Sequence, residues 1–160
     1  LVNLILESTV FQNLRIYGVK PDFSVVLIVA YAILRGSSYG AFIGLGAGML
    51  VDSMYGRIFG INSFSYMITG YIIGQVHENV FKDSFVPPLI FNFLAILIYQ
   101  HIFFLLSYFT NSIPGTDITY LQILLKVVIP QAIYNSIVGT ILYRYLYKLD
   151  AKPFMDKKIY

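Results

Sequence analysis

Long apolar runs separated by short polar segments make up most of this chain, and they restrict it to few kinds of fold. A helix needs about 20 mostly apolar residues, and no fewer than about 17, to cross the hydrocarbon core of a bilayer. Six segments approach or exceed that length, each bounded by glycine, proline or charged residues: 1–16, 21–35, 39–54, 60–76, 84–109 and 120–147. The pattern predicts an all-α, polytopic membrane helical bundle with about six transmembrane helices. Five spans is the alternative if the first segment lies on the membrane surface.

The composition agrees with a membrane protein. Only 12% of the residues are charged and the mean hydropathy is +0.72, whereas soluble domains carry about 25% charged residues. We expect one transmembrane domain, residues 1–147, followed by a basic cytoplasmic tail, residues 148–160. Because the chain contains no cysteine, disulfides, thiolate metal sites and cysteine nucleophiles are excluded. Since it begins at Leu1 inside an apolar run, we expect a short leader or part of the first helix to precede it.

The basic residues are distributed as in a membrane topology and do not form a nucleic-acid-binding patch. Five of the eleven Lys and Arg residues lie in the last seventeen residues, and the others are scattered between apolar runs. With six spans and a cytoplasmic tail, seven of them fall on the cytoplasmic side. The remaining four fall on the outer side: Arg15, Lys20, Arg57 and Lys126. The excess of basic residues on one side predicts that both termini are cytoplasmic.

Small residues recur at every fourth position through the third segment and beyond it. The series is Gly36, Gly40, Gly44, Gly48, Asp52, Gly56 and Gly60. Residues four apart lie nearly above one another on a helix, so Gly40 to Gly48 form a smooth groove. Small residues let helices approach closely in lipid, where van der Waals packing drives association. A shorter row, Gly70 and Gly74, lies in the fourth segment. The rows predict either tight packing within the chain or docking of a partner's membrane helix.

Asp52 lies on the same helix face, near the predicted outer end of the third segment. A carboxylate at a helix C-terminus opposes the helix dipole, and near hydrocarbon it is costly. We therefore expect it to have a partner, either Arg57, the N–H groups of the following turn, or the start of the fourth helix. The two interpretations are a cap of that turn and a contact with a ligand or another protein.

Polar side chains interrupt the apolar segments, and four of them are candidates for a polar site: Glu7, Asn92, Gln131 and Asn135. One interpretation is hydrogen bonding between helices, and the other is a polar cavity that binds a small molecule or a partner. Glu7 is a functional candidate because an intramembrane carboxylate is costly to keep. Pro130, in the sixth segment, leaves one helical carbonyl without its usual donor.

Patterns typical of enzymes are missing from the sequence. His77 and His101 are the only histidines, and neither belongs to a His-Glu-x-x-His metal motif. The sequence contains no Gly-x-Ser-x-Gly elbow, no phosphate-binding loop and no paired acids at catalytic spacing. It therefore predicts a protein that is not an enzyme and that uses neither a metal nor a cofactor.

The stretch from residue 21 to residue 74 resembles the rod shape-determining protein MreD family. The likeness lies in the opening and closing of the second segment and in the glycine-rich third segment that leads to the fourth: Pro21, Asp22, Arg35, Gly36, Gly44, Gly48, Asp52 and Gly60. A charged residue in the first segment, Glu7, and a proline in the last, Pro130, also fit this family.

The resemblance implies a non-enzymatic scaffold subunit in the bacterial inner membrane that acts in cell elongation. It implies pairing with MreC, and indirectly with the MreB filament and with RodA and its transpeptidase, during side-wall peptidoglycan synthesis. The glycine-lined face would receive the MreC helix. The family is also similar in fold to the S subunits of energy-coupling-factor transporters. That similarity gives the alternative, a vitamin-binding subunit whose pocket between the last three helices would use Asn92, Gln131 and Asn135.

Overall fold

The computed structural model describes residues 22–55, 58–79, 84–110 and 120–150, and every regular element in them is helical. The helices are α1, Phe23–Arg35; α2, Ser37–Tyr55; α3, Ile61–Gly74; α4, Val86–Phe109; and α5, residues 120–150. A single 3₁₀ turn, His77–Asn79, follows α3. The prediction of an all-α protein is confirmed for these residues.

The second to sixth predicted segments correspond to α1 to α5, with ends that differ by three residues or fewer. The predicted turn at residues 36–38 is too long, because only Gly36 separates α1 from α2. Gly36 has a φ of 94°, which favours glycine, and its N–H donates to the Ala32 carbonyl. At the other end of the chain, α5 continues to Asp150, past its predicted end at Tyr147. The first predicted span, with Glu7, lies outside the described residues.

Within the described residues, two helices are long and apolar enough to cross a membrane: Val86–Phe109, with a mean hydropathy of 2.1, and Leu121–Lys148, with 1.4. α1 is a shorter apolar helix of 13 residues. The structure thus supports two of the six predicted spans by length and composition, and the number beyond two stays a prediction.

α1 is the central helix of the described bundle. It contacts α2, α3, α4 and α5, and its valine, isoleucine and alanine side chains are almost completely buried. A helix that is apolar all round requires such surroundings on every side. Its first turn is capped by Asp22, whose carboxylate accepts from the Val25 N–H at 3.1 Å. The helix therefore begins inside the bundle, on a buried polar residue.

The other helices form two antiparallel pairs. In α2–α3, Gly40 packs against Gly70 and Gly48 packs against Ser63. In α4–α5, the Phe85 ring just before α4 lies under the guanidinium of Arg144 near the end of α5. The C-termini of α1, α3 and α5 and the N-terminus of α4 consequently share one end of the bundle. We call it the basic end, because it carries the exposed residues Arg35, Arg144 and Lys148.

A π-helical turn, Leu124–Val128, lies inside α5 immediately before Pro130. Proline has no N–H, and its ring clashes with the carbonyl four residues earlier in a regular α-helix. The wider turn relieves this conflict, since the Ile129 N–H donates to the Leu124 carbonyl. The local adjustment keeps α5 continuous across the proline.

Candidate functional site

The glycines of α2 and α3 bring the two backbones into direct contact. A Cβ atom added to Gly44 would overlap the Tyr66 carbonyl group, and one added to Gly40 would overlap the Gly70 carbonyl. Gly70 is equally confined by the Gly40 carbonyl. Packing this close is possible only without side chains at these positions.

The same contact continues to both ends of the pair. Gly48 lies against the backbone of Ser63, and Gly74 lies against the backbone of Ser37. The row Gly40, Gly44 and Gly48 is therefore filled by α3. Of the two interpretations of this groove, the contacts correspond to packing within the chain, because α3 occupies it. Gly46, off the row, has no atom within 4 Å of an added Cβ.

Asp52 caps α3 from the end of α2. Its Oδ2 accepts hydrogen bonds from the N–H groups of Gly60 and Ser63, both at 2.9 Å, and from the Ser63 hydroxyl at 2.6 Å. Its Oδ1 accepts from the backbone and side-chain N–H groups of Asn62, at 3.1 and 2.9 Å.

This arrangement explains how a carboxylate can lie at a helix C-terminus and be 4% exposed. Gly60, the N-cap residue of α3, has a φ of 110° and no side chain to offer the first turn. N-cap residues usually satisfy the N–H groups two or three positions on. Asp52 supplies that acceptor from the preceding helix, and the positive end of the α3 dipole favours its charge. Arg57, an expected partner, lies outside the described residues.

A chain of hydrogen bonds links this cap to the interior. The Tyr99 hydroxyl donates to Asn62 Oδ1 at 2.9 Å, which joins α4 to the start of α3. The Tyr99 ring stacks on that of Tyr66 with centroids 4.5 Å apart. The Tyr66 hydroxyl then donates to Asp22 Oδ2 at 2.8 Å, and the Asp22 N–H donates to Asn135 Oδ1 at 3.0 Å. All five described helices therefore share one buried polar cluster at the start of α1.

Two buried amide atoms on α4 and α5 have no hydrogen-bond partner, Asn92 Oδ1 and Asn135 Nδ2. Asn92 Nδ2 donates to the Pro88 carbonyl at 2.7 Å, which fixes the orientation of that amide. Gln131 is bonded elsewhere, because its Oε1 accepts from Gln100 Nε2 at 3.0 Å. Buried polar atoms without partners are uncommon and costly. The three predicted polar residues of α4 and α5 thus lie on facing helices, although Gln131 makes a separate contact.

The described residues hold no group of three or more His, Asp or Glu side chains that could bind a metal. Nδ1 of His77 lies 2.7 Å from the Ile33 carbonyl, and Nδ1 of His101 lies 2.7 Å from the Leu97 carbonyl. Both histidines are therefore engaged with backbone groups.

Sequence reasoning missed Tyr66, Tyr99 and Asn62 as members of the polar cluster. Tyrosine occurs 14 times in the chain, so neither tyrosine was distinguishable from packing or interfacial aromatics. A usable signal was Asn62-Ser63 just after Gly60, since such residues favour a helix start. The sequence marks Asp22 as the start of a helix, but its buried contacts come from Tyr66 on α3 and Asn135 on α5.

Comparison with known proteins identifies the family. The family model for the rod shape-determining protein MreD matches residues 1–152. No curated protein and no solved structure matches the chain, so the likeness to energy-coupling-factor S subunits stays a prediction. MreD proteins are membrane proteins, associated with the MreC and MreB shape-determining system and not known as enzymes. Since the match covers nearly the whole sequence, this chain belongs to the MreD family of rod shape-determining membrane proteins.

Proposed function

We propose that this protein is a scaffold subunit of the bacterial elongation machinery that pairs with an MreC-like bitopic membrane protein. Through that partner it supports side-wall peptidoglycan synthesis by RodA and its transpeptidase, in connection with the MreB filament. The observation that carries the proposal is the family match over residues 1–152. The described helices agree with a scaffold, because their polar side chains serve mainly to join helices to one another.

Because α3 fills the glycine row, we expect the partner to bind an outer surface of the protein instead. The outer face of α2 carries Phe42, which is 75% exposed, with Met49 and Met54. Gly46 lies between the first two and leaves open space beside the helix backbone. A partner helix could approach α2 closely at this position. The outer face of α5, with Ile133, is the comparison surface.

Cysteine cross-linking tests the pairing directly, because the chain has no native cysteine. Single variants Phe42→Cys, Gly46→Cys and Met49→Cys are co-expressed with the MreC-like partner carrying one cysteine in its membrane helix. Matched variants on α5 are Ile133→Cys and Ile137→Cys. We expect disulfide cross-links at the α2 positions and not at the α5 positions. Cross-links on α5 alone would move the interface, and their absence from both faces would reject pairing through these helices.

The same proposal includes an orientation. We infer a multi-pass protein of the bacterial inner membrane whose basic end and both termini face the cytoplasm. Arg35, Arg144 and Lys148 lie at the basic end, whereas Lys126 lies near the opposite end of α5. Cytoplasmic ends of membrane proteins carry such an excess of Lys and Arg. Labelling of Lys148→Cys by a membrane-impermeant maleimide in intact spheroplasts should fail, and labelling of Lys126→Cys should succeed.

A vitamin-binding subunit of a transporter remains the alternative, and one observation favours it. Asn92 Oδ1 and Asn135 Nδ2 are a buried acceptor and a buried donor that an internal ligand could satisfy. Mass spectrometry of the protein purified in mild detergent tests this, because a specific small molecule should be retained. Its retention should be lost in Asn92→Leu. A purified chain with no retained molecule, and no thermal shift with candidate vitamins, argues against transport.

A further inference from the structure

A small cavity of about 240 Å³ opens at the basic end between the start of α4 and the last turns of α5. Its floor contains Pro88 and Tyr143, both buried, and its rim contains Phe85, Arg144, Tyr147 and Lys148. The cavity lies where the only two described helices that qualify as spans come together. We propose that it binds the anionic headgroup of a phospholipid.

The charge of the lining supports an anionic ligand. Arg144 and Lys148 are one helical turn apart, and both are exposed. The described residues that line the cavity include no Asp or Glu. A second, shallower depression of about 560 Å³ at the same end contains Arg35 but also Glu78, so its charges offset one another. The two cavities therefore differ in net charge, and the one on α4–α5 is cationic.

The aromatic residues favour a lipid over a free anion. Arg144 holds its guanidinium 3.8 Å from the centre of the Phe85 ring, which keeps it at the cavity mouth. The Tyr143 and Tyr147 rings stack with centroids 6.3 Å apart along the cavity side. Tyrosine prefers the level of the headgroups, with its ring toward the acyl chains. A ligand with a phosphate group above an apolar tail matches both parts of this lining.

The length of the helices places the cavity at the correct depth. Asn135 lies close to the middle of the candidate span Leu121–Lys148. Arg144 lies nine residues after it, which is about 14 Å along α5. Half of a hydrocarbon core is about 15 Å thick. Basic pockets between transmembrane helices at this level are typical sites for anionic lipid headgroups.

Native mass spectrometry of the full chain in mild detergent tests the proposal. Phosphatidylglycerol is titrated against the wild type and against a variant carrying Arg144→Gln and Lys148→Gln. We expect about 30-fold weaker binding in the variant, which corresponds to about 1 kcal/mol for each basic residue lost. Lys126→Gln, which removes a charge near the other end of α5, is the matched control and should bind as the wild type does.

Two further measurements distinguish a lipid from a free anion as the ligand. Phosphatidylcholine should bind weakly, and inorganic phosphate should not displace phosphatidylglycerol. Displacement by inorganic phosphate would show a free-anion site and overturn the lipid assignment. Equal binding by the double variant and the wild type would overturn the site itself. If the double variant does not fold, Lys148→Gln alone should weaken binding about fivefold, and unchanged binding overturns the proposal.

Discussion

The α2–α3 pair is joined by backbone against backbone, whereas the α4–α5 pair is joined by side chains. In the first pair, Gly40, Gly44 and Gly48 leave no space even for a methyl group. In the second, Gln100 bonds to Gln131 and the Asn92 amide lies against Gly139. A side chain can adopt another rotamer to avoid a clash, whereas a helix backbone cannot. A glycine-to-alanine substitution should therefore destabilise the α2–α3 pair more than the α4–α5 pair.

The two pairs also differ in how well their polar groups are satisfied. The Asp52 carboxylate at the end of α2 accepts five hydrogen bonds from the turn and first turn of α3. In the α4–α5 region, Asn92 and Asn135 each retain one buried atom without a partner. The helices α2 and α3 are thus held together by close backbone packing and a cap, while α4 and α5 are long and apolar enough to span a membrane.

Asp52→Ala should give the largest effect, because it leaves the N–H groups of the first turn of α3 without an acceptor. We expect a loss of about 4 kcal/mol in the free energy of unfolding. The measurement is SDS-induced unfolding in mild detergent, followed by far-UV circular dichroism. Ser53→Ala is the neighbouring control, since the Ser53 hydroxyl is exposed and bonds only within its own helix, to the Met49 carbonyl. A similar loss in both variants would refute the cap.

Gly44→Ala and Gly46→Ala separate backbone contact from helix propensity. Gly44→Ala should destabilise the fold by about 2 kcal/mol, because its Cβ would overlap the Tyr66 backbone. Gly46→Ala should stabilise it by up to about 1 kcal/mol, because alanine is the better helix former and Gly46 has open space around it. The same unfolding assay measures both. Shifts of the same sign would mean that the α2–α3 contact is looser than described.

The sequence predicts those features of the fold that are determined by residues close together in the chain. Helix positions followed from apolar runs and from breakers such as Gly36 and Gly60, which act within a few residues. The glycine row predicted a groove, but a four-residue period is identical whether the groove receives α3 or another protein. Only the position of α3 decides between them, and that position depends on contacts far apart in the chain.

The buried polar cluster is even less predictable from the sequence, because its hydrogen bonds join residues far apart in the chain. Asp22 could be recognised as the start of a helix from its own neighbours. Its contacts with Tyr66 and Asn135 join residues separated by 44 and 113 positions. The sequence also does not show which residue accepts the hydrogen bonds of the first turn of α3. The acceptor is Asp52 on the preceding helix and not the N-cap residue Gly60. Long-range pairing of polar groups therefore had no signature in one sequence.

Gly139→Ala is the α4–α5 counterpart of the glycine test, with a smaller expected loss of about 1 kcal/mol in unfolding free energy. The three atoms nearest to its Cβ would all belong to the Asn92 side-chain amide. The amide can turn away, although the hydrogen bond to the Pro88 carbonyl would then weaken. Combining Gly139→Ala with Asn92→Ala should remove the conflict, so that adding Gly139→Ala to the second variant costs almost nothing. An undiminished loss in that background would mean that backbone atoms also crowd Gly139.

Substitution of Gln100 and Gln131 should have the smallest effect on stability, because this contact between α4 and α5 is made by side chains alone. The pair links two half-buried side chains at 3.0 Å, and interhelical hydrogen bonds in membrane proteins average about 0.6 kcal/mol. A double-mutant cycle with Gln100→Leu and Gln131→Leu, measured by SDS-induced unfolding, should give a coupling energy near that value. The double variant should lose less stability than the two single variants together, because removing both partners avoids the unpaired amide that each single variant leaves. A coupling energy above about 2 kcal/mol would be well beyond the usual range for such bonds. It would mean that this one hydrogen bond holds α4 against α5, and the α4–α5 pair would then be no more adaptable than the α2–α3 pair.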